Sequence, residues 1–390
     1  MATNRIYLKE SVWDAALARI RWLYDEFAHI IVDHSGGKDS DIVLRLAVIV
    51  AEERGRLPVD ALFIDQEAEW QATIDHVRVI ADDPRVRMHW LQMPIRLFNA
   101  TSVTDAWLRC WDPAKQSEWI RPKEPDAIHE NTYGTEVFAE VFAAFQAKHF
   151  PNDPSTHIAG VRAEESPARA MGLTMYETYK GETWGKVENK KRQHYAFYPI
   201  YDWSYTDVWK AIHDNGWPYN RLYDVMYQYG VPTVQMRVSN VHHETAVRSL
   251  FYLQEVEPET WERITARLAG INSAGQLQMQ FFKPRELPFM FKDWREYRDH
   301  LLENLIEDAS LRERYRTLFA GGESHYEGDA LRELLITHVA MLLVNDYHGT
   351  KLKTFQASHM EQSKNRGKRS GRTSDEPLSA GPDRANRRGG

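Results

Sequence analysis

The stretch His29–Val50, HIIVDHSGGKDSDIVLRLAVIV, joins two apolar runs of different character through a polar turn that carries two glycines. His29 to Asp33 is short and β-branched and reads as a buried strand, whereas Asp39 to Arg54 is long and periodic enough for a helix. A strand, a glycine turn and a helix in that order aim backbone N–H groups and a helix N-terminus at whatever sits in the turn, which suits phosphate. The turn, Ser35-Gly36-Gly37-Lys38-Asp39-Ser40, has neither the G-x-x-x-x-G-K-[ST] spacing of P-loop kinases nor the G-x-G-x-x-G of dinucleotide folds. Gly36 and Gly37 admit positive φ and close backbone approach, Ser35 and Ser40 supply hydroxyls, Lys38 supplies charge, and Asp39 can hold Mg²⁺. A nucleotide polyphosphate is the ligand this pattern predicts; a glycine turn with no ligand is the bland alternative.

Outward from the turn, strands and helices alternate. A helix over Ser11–Phe27, with Ser11 as N-cap, precedes the first strand. Strands are predicted over Val59–Asp65 and Val86–Met93, with a helix over Glu69–Ala81 between them. The alternation resumes at His157–Val161 (strand), Glu164–Met171 (short helix), Ala196–Ile200 (strand) and Tyr205–Asn215 (helix). Such alternation implies a parallel, right-handed α/β sheet. Between the halves, residues 99–151 are rich in Trp and Pro and then helical, and read as an insertion covering the sheet's ligand edge. The predicted organisation is an N-terminal helix over 1–28, a nucleotide-binding domain over 29–215, a mainly helical region over 216–355 and a disordered basic tail over 356–390. Leu301–Phe319 and Ala330–Val344 are the clearest helices of the third part. The final 30 residues, Glu361 to Gly390, hold eight Lys/Arg against four Asp/Glu, a net of +4.

Composition restricts the function classes. A chain of 390 residues, 43% apolar and 27% charged, can bury one large core or two moderate ones. No window approaches the roughly 18 uninterrupted apolar residues of a membrane span, and Met1–Glu10 lacks a signal-peptide pattern, so a cytoplasmic protein with no membrane partner is expected. The single cysteine, Cys110, rules out an intrachain disulfide, a Cys-rich zinc site or an iron–sulfur cluster held by this chain alone. A net charge of −7 argues against a surface that grips nucleic acid throughout, leaving the basic tail or a partner as the route to any nucleic acid.

The turn and three later segments carry a resemblance. SGGKDS resembles the PP-loop of the ATP pyrophosphatase superfamily. LFIDQEAEW (Leu62–Trp70), IAGVRAEESPARA (Ile158–Ala170) and FYPIYDWSYTDVW (Phe197–Trp209) resemble, in the expected order, segments of the PAPS reductase and ATP sulfurylase small-subunit family. WLRCWDPAKQSEWIRP (Trp107–Pro122), VPTVQMRVSNVHHETA (Val231–Ala246) and LQEVEPETWERITARLAGIN (Leu253–Asn272) look more like its IbrA/YbdN-like branch. The resemblance implies a Rossmann-like, adenine nucleotide alpha hydrolase-like fold and ATP with Mg²⁺ as ligands. Cleavage between the α- and β-phosphates would adenylylate or activate an acceptor. The branch also implies an alternative, an ATP-binding subunit of a regulatory or DNA-associated complex with a ParB-like partner. PAPS reductases use a cysteine in a C-terminal E-C-G-x-H-type motif, and this chain has none after Cys110; they also tend to have a degraded PP-loop. Reduction of a sulfonate is therefore disfavoured, as is phosphorothioation chemistry that depends on a Cys-ligated cluster.

Carried onto this sequence, the site set is Ser35, Gly36, Gly37, Lys38, Asp39, Ser40, Asp65, Arg162 and Arg169. Lys38, Asp39 and Arg162 are the candidates for catalysis, and Asp39 and Asp65 for the metal. Asp65 is placed on Mg²⁺ or a ribose, or else is an ordinary strand-end residue. Arginines at 162 and 169 can reach phosphates bidentately. Asp202, Trp203 and Asp207 are expected to be structural, with Ser204 capping a helix. Trp107 and Trp111, four apart, suggest one packed helix face, with an aromatic lid as the alternative. Cys110 is expected to be inert and buried rather than a sulfur carrier. His242 and His243 lack metal spacing but, with Arg237, are candidates to face the nucleotide. Lys180–His194 reads as a mobile loop, either plain surface or a lid for an anionic substrate.

Overall fold

The computed structural model describes residues 8–356 apart from 100–106, 166–168, 171–172, 174–176, 234–235, 239, 242–249, 269, 272–285, 321, 344–348, 350–351 and 354. The expected basic tail and the His242/His243 pair lie outside the described residues.

Eight strands alternate with helices in the first half: α1 (Val12–Glu26), β1 (His29–Asp33), α2 (Lys38–Glu53), β2 (Val59–Ile64), α3 (Gln71–Ala81), β3 (Val86–Leu91), β4 (Ile95–Phe98), β5 (Trp107–Cys110), α4 (Phe138–His149), β6 (Ser155–Ala159), β7 (Gly185–Asn189) and β8 (His194–Phe197). Six strands form one sheet in the order β3-β2-β1-β6-β8-β7, parallel except for the antiparallel edge strand β7. This is the Rossmann-like α/β architecture that the alternation predicts. The strand order turns around at β1 and β6, which pair in register from His29↔Ser155 to Asp33↔Ala159. In open parallel sheets the crevice at such a switch point, beyond the carboxyl ends of the strands, is where ligands bind.

Burial explains the elements. β1 and β6 are covered on both faces, so their sequences read as near-continuous apolar or small-residue runs. α1 is capped by the Ser11 hydroxyl, which accepts from the Asp14 N–H at 3.1 Å, and packs Ala16, Leu17, Ile20, Leu23 and Tyr24 inward. Its Arg19 forms a two-pronged pair with Asp202, at 2.8 and 2.7 Å, tying the helix to the loop after β8. Trp203 packs against Trp13 and donates to the Val12 carbonyl, and Ser204 with Asp207 forms a capping box on Tyr205–Asn215. Asp202, Trp203 and Asp207 are thus structural, as expected.

Four expectations need correction. Trp107–Cys110 is a strand paired antiparallel with β4, not a helix; Trp107 is exposed while Leu108 and Cys110 are buried, an alternation of period two. The chain then reverses through Trp111 at φ 53°, so the two tryptophans do not share a face. The segment 180–194 is largely a hairpin, because β7 pairs with β8. The short helix expected from Glu164 is a single 3₁₀ turn over Ala163–Glu165, beyond which the chain is only partly described. The helix expected over Leu301–Phe319 is two helices, Trp294–Asn304 and Ala309–Ala320, since Asp308 caps the second by accepting from the Leu311 N–H.

Packing continues past Asn215. Leu222, Tyr223, Met226, Met236, Val241, Leu253, Ile264, Leu268 and Ile271 share a core with Ile31, Leu62, Trp70 and Leu91 on one face of the sheet. Trp294–Asn304, Ala309–Ala320 and Gly328–Leu343 build separate apolar clusters. No helix among the described residues is long and apolar enough to cross a membrane.

Candidate functional site

β1 delivers Asp33 to the switch point, where its carboxylate accepts from His157 Nδ1 of β6 at 2.6 Å. Burial pulls the imidazole's pKa down, but the neighbouring Asp33 charge and hydrogen bond outweigh it and hold the pKa above its ordinary value. The chain turns through Gly36 at φ 71°, where a Cβ would meet Thr73 Cγ2 at 2.7 Å, so glycine is needed for conformation and for space. Helix α2 starts from Gly37, which offers no side-chain cap. Ser40 ties the turn together: its hydroxyl donates to the Gly37 carbonyl at 2.8 Å, accepts the Ser35 N–H at 3.2 Å and lies 3.2 Å from Ser35 Oγ.

At the base of the turn, Asp41 is held between two imidazoles, His34 Nε2 and His76 Nε2, each 2.7 Å from one of its oxygens. Burial alone would raise the Asp41 carboxyl, but these two hydrogen bonds hold it down to about 2. Residues from far along the chain brace the other side. Asn220 Nδ2 donates to the Gly36 carbonyl at 3.0 Å, and the Tyr223 hydroxyl accepts the Lys38 N–H at 3.1 Å.

The charged side chains converge in a cavity of about 370 Å³, lined by Ser35, Gly37, Lys38, Asp39, Ser40, Arg162, Arg169 and Arg237 among others. Lys38 is only 3% exposed; its ammonium donates to the Met236 carbonyl at 3.1 Å, lies 3.2 Å from Asp39 Oδ2 and sits over the Tyr223 ring. The other Asp39 oxygen accepts Arg162 Nε at 2.6 Å. Asp39 therefore sits between two cations. Arg162 is itself buried, and its Nη1 has no hydrogen-bond partner among the described residues, lying 3.5 Å from Glu164 Oε2. Glu165 pairs with Arg169 at 2.7 Å and presents its carbonyl to Arg237 at 2.7 Å; burial raises its carboxyl pKa despite the arginines. Gly160 makes the approach possible, because a Cβ there would lie 2.5 Å from Asp39 C and 2.7 Å from Ser40 N.

Eight of the nine site residues inferred from sequence come together here: Ser35, Gly37, Lys38, Asp39, Ser40, Arg162 and Arg169 line the cavity, and Gly36 shapes the turn. Asp65 does not. It is fully buried, and its oxygens accept Trp90 Nε1 and Gln92 Nε2 at 2.9 Å, the Glu67 N–H at 2.9 Å and Arg121 Nη2 at 2.5 Å. Four donors satisfy the carboxylate, leaving it no capacity for Mg²⁺ or a ribose at the cavity. It anchors a buried polar cluster in which Glu67 pairs with Arg267 at 2.8 Å and accepts the Trp111 N–H. Cys110 lies in the same cluster, fully buried, its thiol 3.1 Å from the Gln66 carbonyl; burial, then the Glu67 and Asp65 charges, push its pKa well up. Its burial is as expected. Sequence reasoning missed Tyr223 and Asn220, which carry no local signal, and His34 with Asp41, whose position on either side of the six-residue motif was the available clue.

Residues 29–229 match the family model described as the phosphoadenosine phosphosulfate reductase domain. The chain belongs to that family. Residues 230–364 match a second model, described as a domain of unknown function (DUF3440), so the braces Met236 and Arg237 lie just beyond the family's reductase-type domain. A curated relative, the uncharacterized protein YbdN of Escherichia coli (strain K12), is 29% identical over 340 residues, covering 82% of this chain and 81% of its own. Among solved structures, the chain is similar to a phosphoadenylyl-sulfate reductase from Candida auris in a phosphate complex. Identity there is 17%, the TM-score 0.35, and coverage 62% of this chain and 99% of that one. It is also similar to an FMN adenylyltransferase of Candida glabrata in complex with ATP, at 13% identity and TM-score 0.37, covering 61% and 65% of the two chains.

Proposed function

We propose that the cavity binds ATP with Mg²⁺ and that the protein cleaves it between the α- and β-phosphates, passing the adenylyl group to an acceptor. One observation carries the reading: the turn, Lys38, Asp39, Arg162 and Arg169 meet in one cavity at the switch point, beside the start of α2. The N-terminus of α2 and the two arginines offer positive charge to a polyphosphate. Lys38 and Arg162, now paired with Asp39, exchange that partner for phosphate oxygens. Asp39, released, fits a single carboxylate ligand of Mg²⁺, which when bound neutralises phosphate charge. In the transfer, an acceptor oxygen forms a bond to the α-phosphorus, and the bond to the bridging oxygen breaks with its electron pair departing on pyrophosphate. The acceptor's proton passes to solvent. Lys38 and Arg162 stabilise the charge that develops on the leaving group.

Titration calorimetry of the full chain with ATP and Mg²⁺ tests this, with Lys38→Ala and Arg162→Ala checked for folding by circular dichroism. ATP affinity should fall tenfold or more in both variants, and ATP should bind more tightly than PAPS. Unchanged affinity in both folded variants overturns the reading. Tight ATP binding without pyrophosphate release in the presence of candidate acceptors overturns the cleavage step.

A further inference from the structure

The His34–Asp41–His76 cluster lies outside the cavity. His34 follows directly on β1, Asp41 comes from the first turn of α2 and His76 from α3. All three are buried, with exposures of 3%, 3% and 6%. One ligand atom from each, an imidazole nitrogen from each histidine and a carboxylate oxygen, lies within 4.8 Å of the others, and both Nε2 atoms face the carboxylate at 2.7 Å. Two imidazoles and a carboxylate converging among buried side chains form a donor set that divalent zinc accepts, with ligand distances of about 2.0–2.2 Å. A buried carboxylate carries a negative charge that a divalent cation offsets.

We propose that His34, Asp41 and His76 bind a divalent transition-metal ion, zinc by the character of the donor set, with a fourth position open to water. The ion takes the place of the protons on the two Nε2 atoms. A neutral ring then carries its proton on Nδ1, and a cationic ring releases one to solvent. His34 and Asp41 are the residues immediately before and after Ser35–Ser40, so the ion staples the two ends of the phosphate-binding turn while His76 fastens them to α3. The site is separate from any Mg²⁺ on Asp39 and does not rest on the ATP reading.

Elemental analysis of the purified full chain, before and after incubation with zinc and removal of excess, measures stoichiometry; X-ray absorption at the zinc edge reads the ligands. One ion per chain with two imidazoles and oxygen in the coordination sphere is expected. In the metal-stripped full chain, Co²⁺ should give visible d–d absorption that is lost in His76→Gln and in Asp41→Asn. A wild-type chain that takes up neither metal overturns the proposal, as does a zinc spectrum with sulfur or no imidazole. Equal Co²⁺ binding by both folded variants also overturns it, because the ion would then sit elsewhere. The wild-type spectrum decides the matter even where a variant fails to fold.

Discussion

Replacing Gly160 by alanine tests how the site is assembled. Glycine-to-alanine changes at relaxed positions stabilise a protein by about 0.4–1 kcal/mol by restricting the unfolded chain. Position 160 has no positive φ to penalise alanine, so only space decides the sign. The added Cβ would stand 2.5 Å from Asp39 C, 2.6 Å from Asp39 O and 2.7 Å from Ser40 N, where ordinary contact begins at 3.4 Å. These are backbone atoms at the start of α2 and cannot rotate away. The loop after β6 must retreat by roughly 1 Å, and overpacking of this kind costs about 1–3 kcal/mol. Arg162, two residues on, retreats with it. Misplacement of a charged contact by about 1 Å can cost up to about 100-fold. Gly160→Ala should therefore lower the unfolding free energy in urea by about 2 kcal/mol and weaken ATP binding at least tenfold where the protein is still folded. A variant as stable as the parent would refute the close approach. One that is destabilised but binds ATP with parental affinity would refute the dependence of the site on it.

Glu69 is buried, and desolvation, with the Asp65 charge, pushes its pKa from 4.5 up to about 8. The folded pKa is the higher one, so stability is fully present below pH 4.5 and falls as pH rises toward 8; Glu69→Gln should flatten that slope, gaining on the order of 3 kcal/mol at pH 7 relative to pH 4.5 in urea titrations. An identical slope in the variant would dismiss the shift. Arg267→Ala strands Glu67 in the interior and should cost about 3–5 kcal/mol, while Glu67→Gln combined with Arg267→Met should recover much of it; equal losses in both would show that the charge is not what matters. Cys110 should resist a thiol reagent until the chain is unfolded, and Cys110→Ala should retain ATP affinity; rapid labelling of the native protein would contradict its burial.

What could be read from residues alone follows the range of the forces involved. The β1 turn and α2 were legible because period, glycines and charge lie within a dozen positions. Arg162 and Arg169 were legible through the resemblance of Ile158–Ala170 to a family segment, where they follow a strand ending at the same sheet edge. Asp65 ends a strand too, yet turns inward, a choice made by Trp90, Gln92 and Arg121 rather than by anything beside it. The tryptophans at 107 and 111 show how a four-residue spacing misleads: a four-residue strand followed by a left-handed residue produces it as readily as a helix turn. The breadth of the core past Asn215 was hidden because its apolar residues are spread through aromatic loops without a clear period.

The braces from Asn220, Tyr223 and Met236 bear on how this protein can be dissected. A fragment ending at Asn215 would contain every residue of the phosphate-binding motif and all six strands of the sheet. It would nevertheless lose the donor to the Gly36 carbonyl, the acceptor for the Lys38 N–H and the backbone oxygen that holds the Lys38 ammonium, and bare the apolar face those segments cover. The boundary suggested by the end of the alternating strands and helices is thus a poor place to cut; a fragment meant to preserve the turn has to run at least through Val241, whose side chain is fully buried against that face.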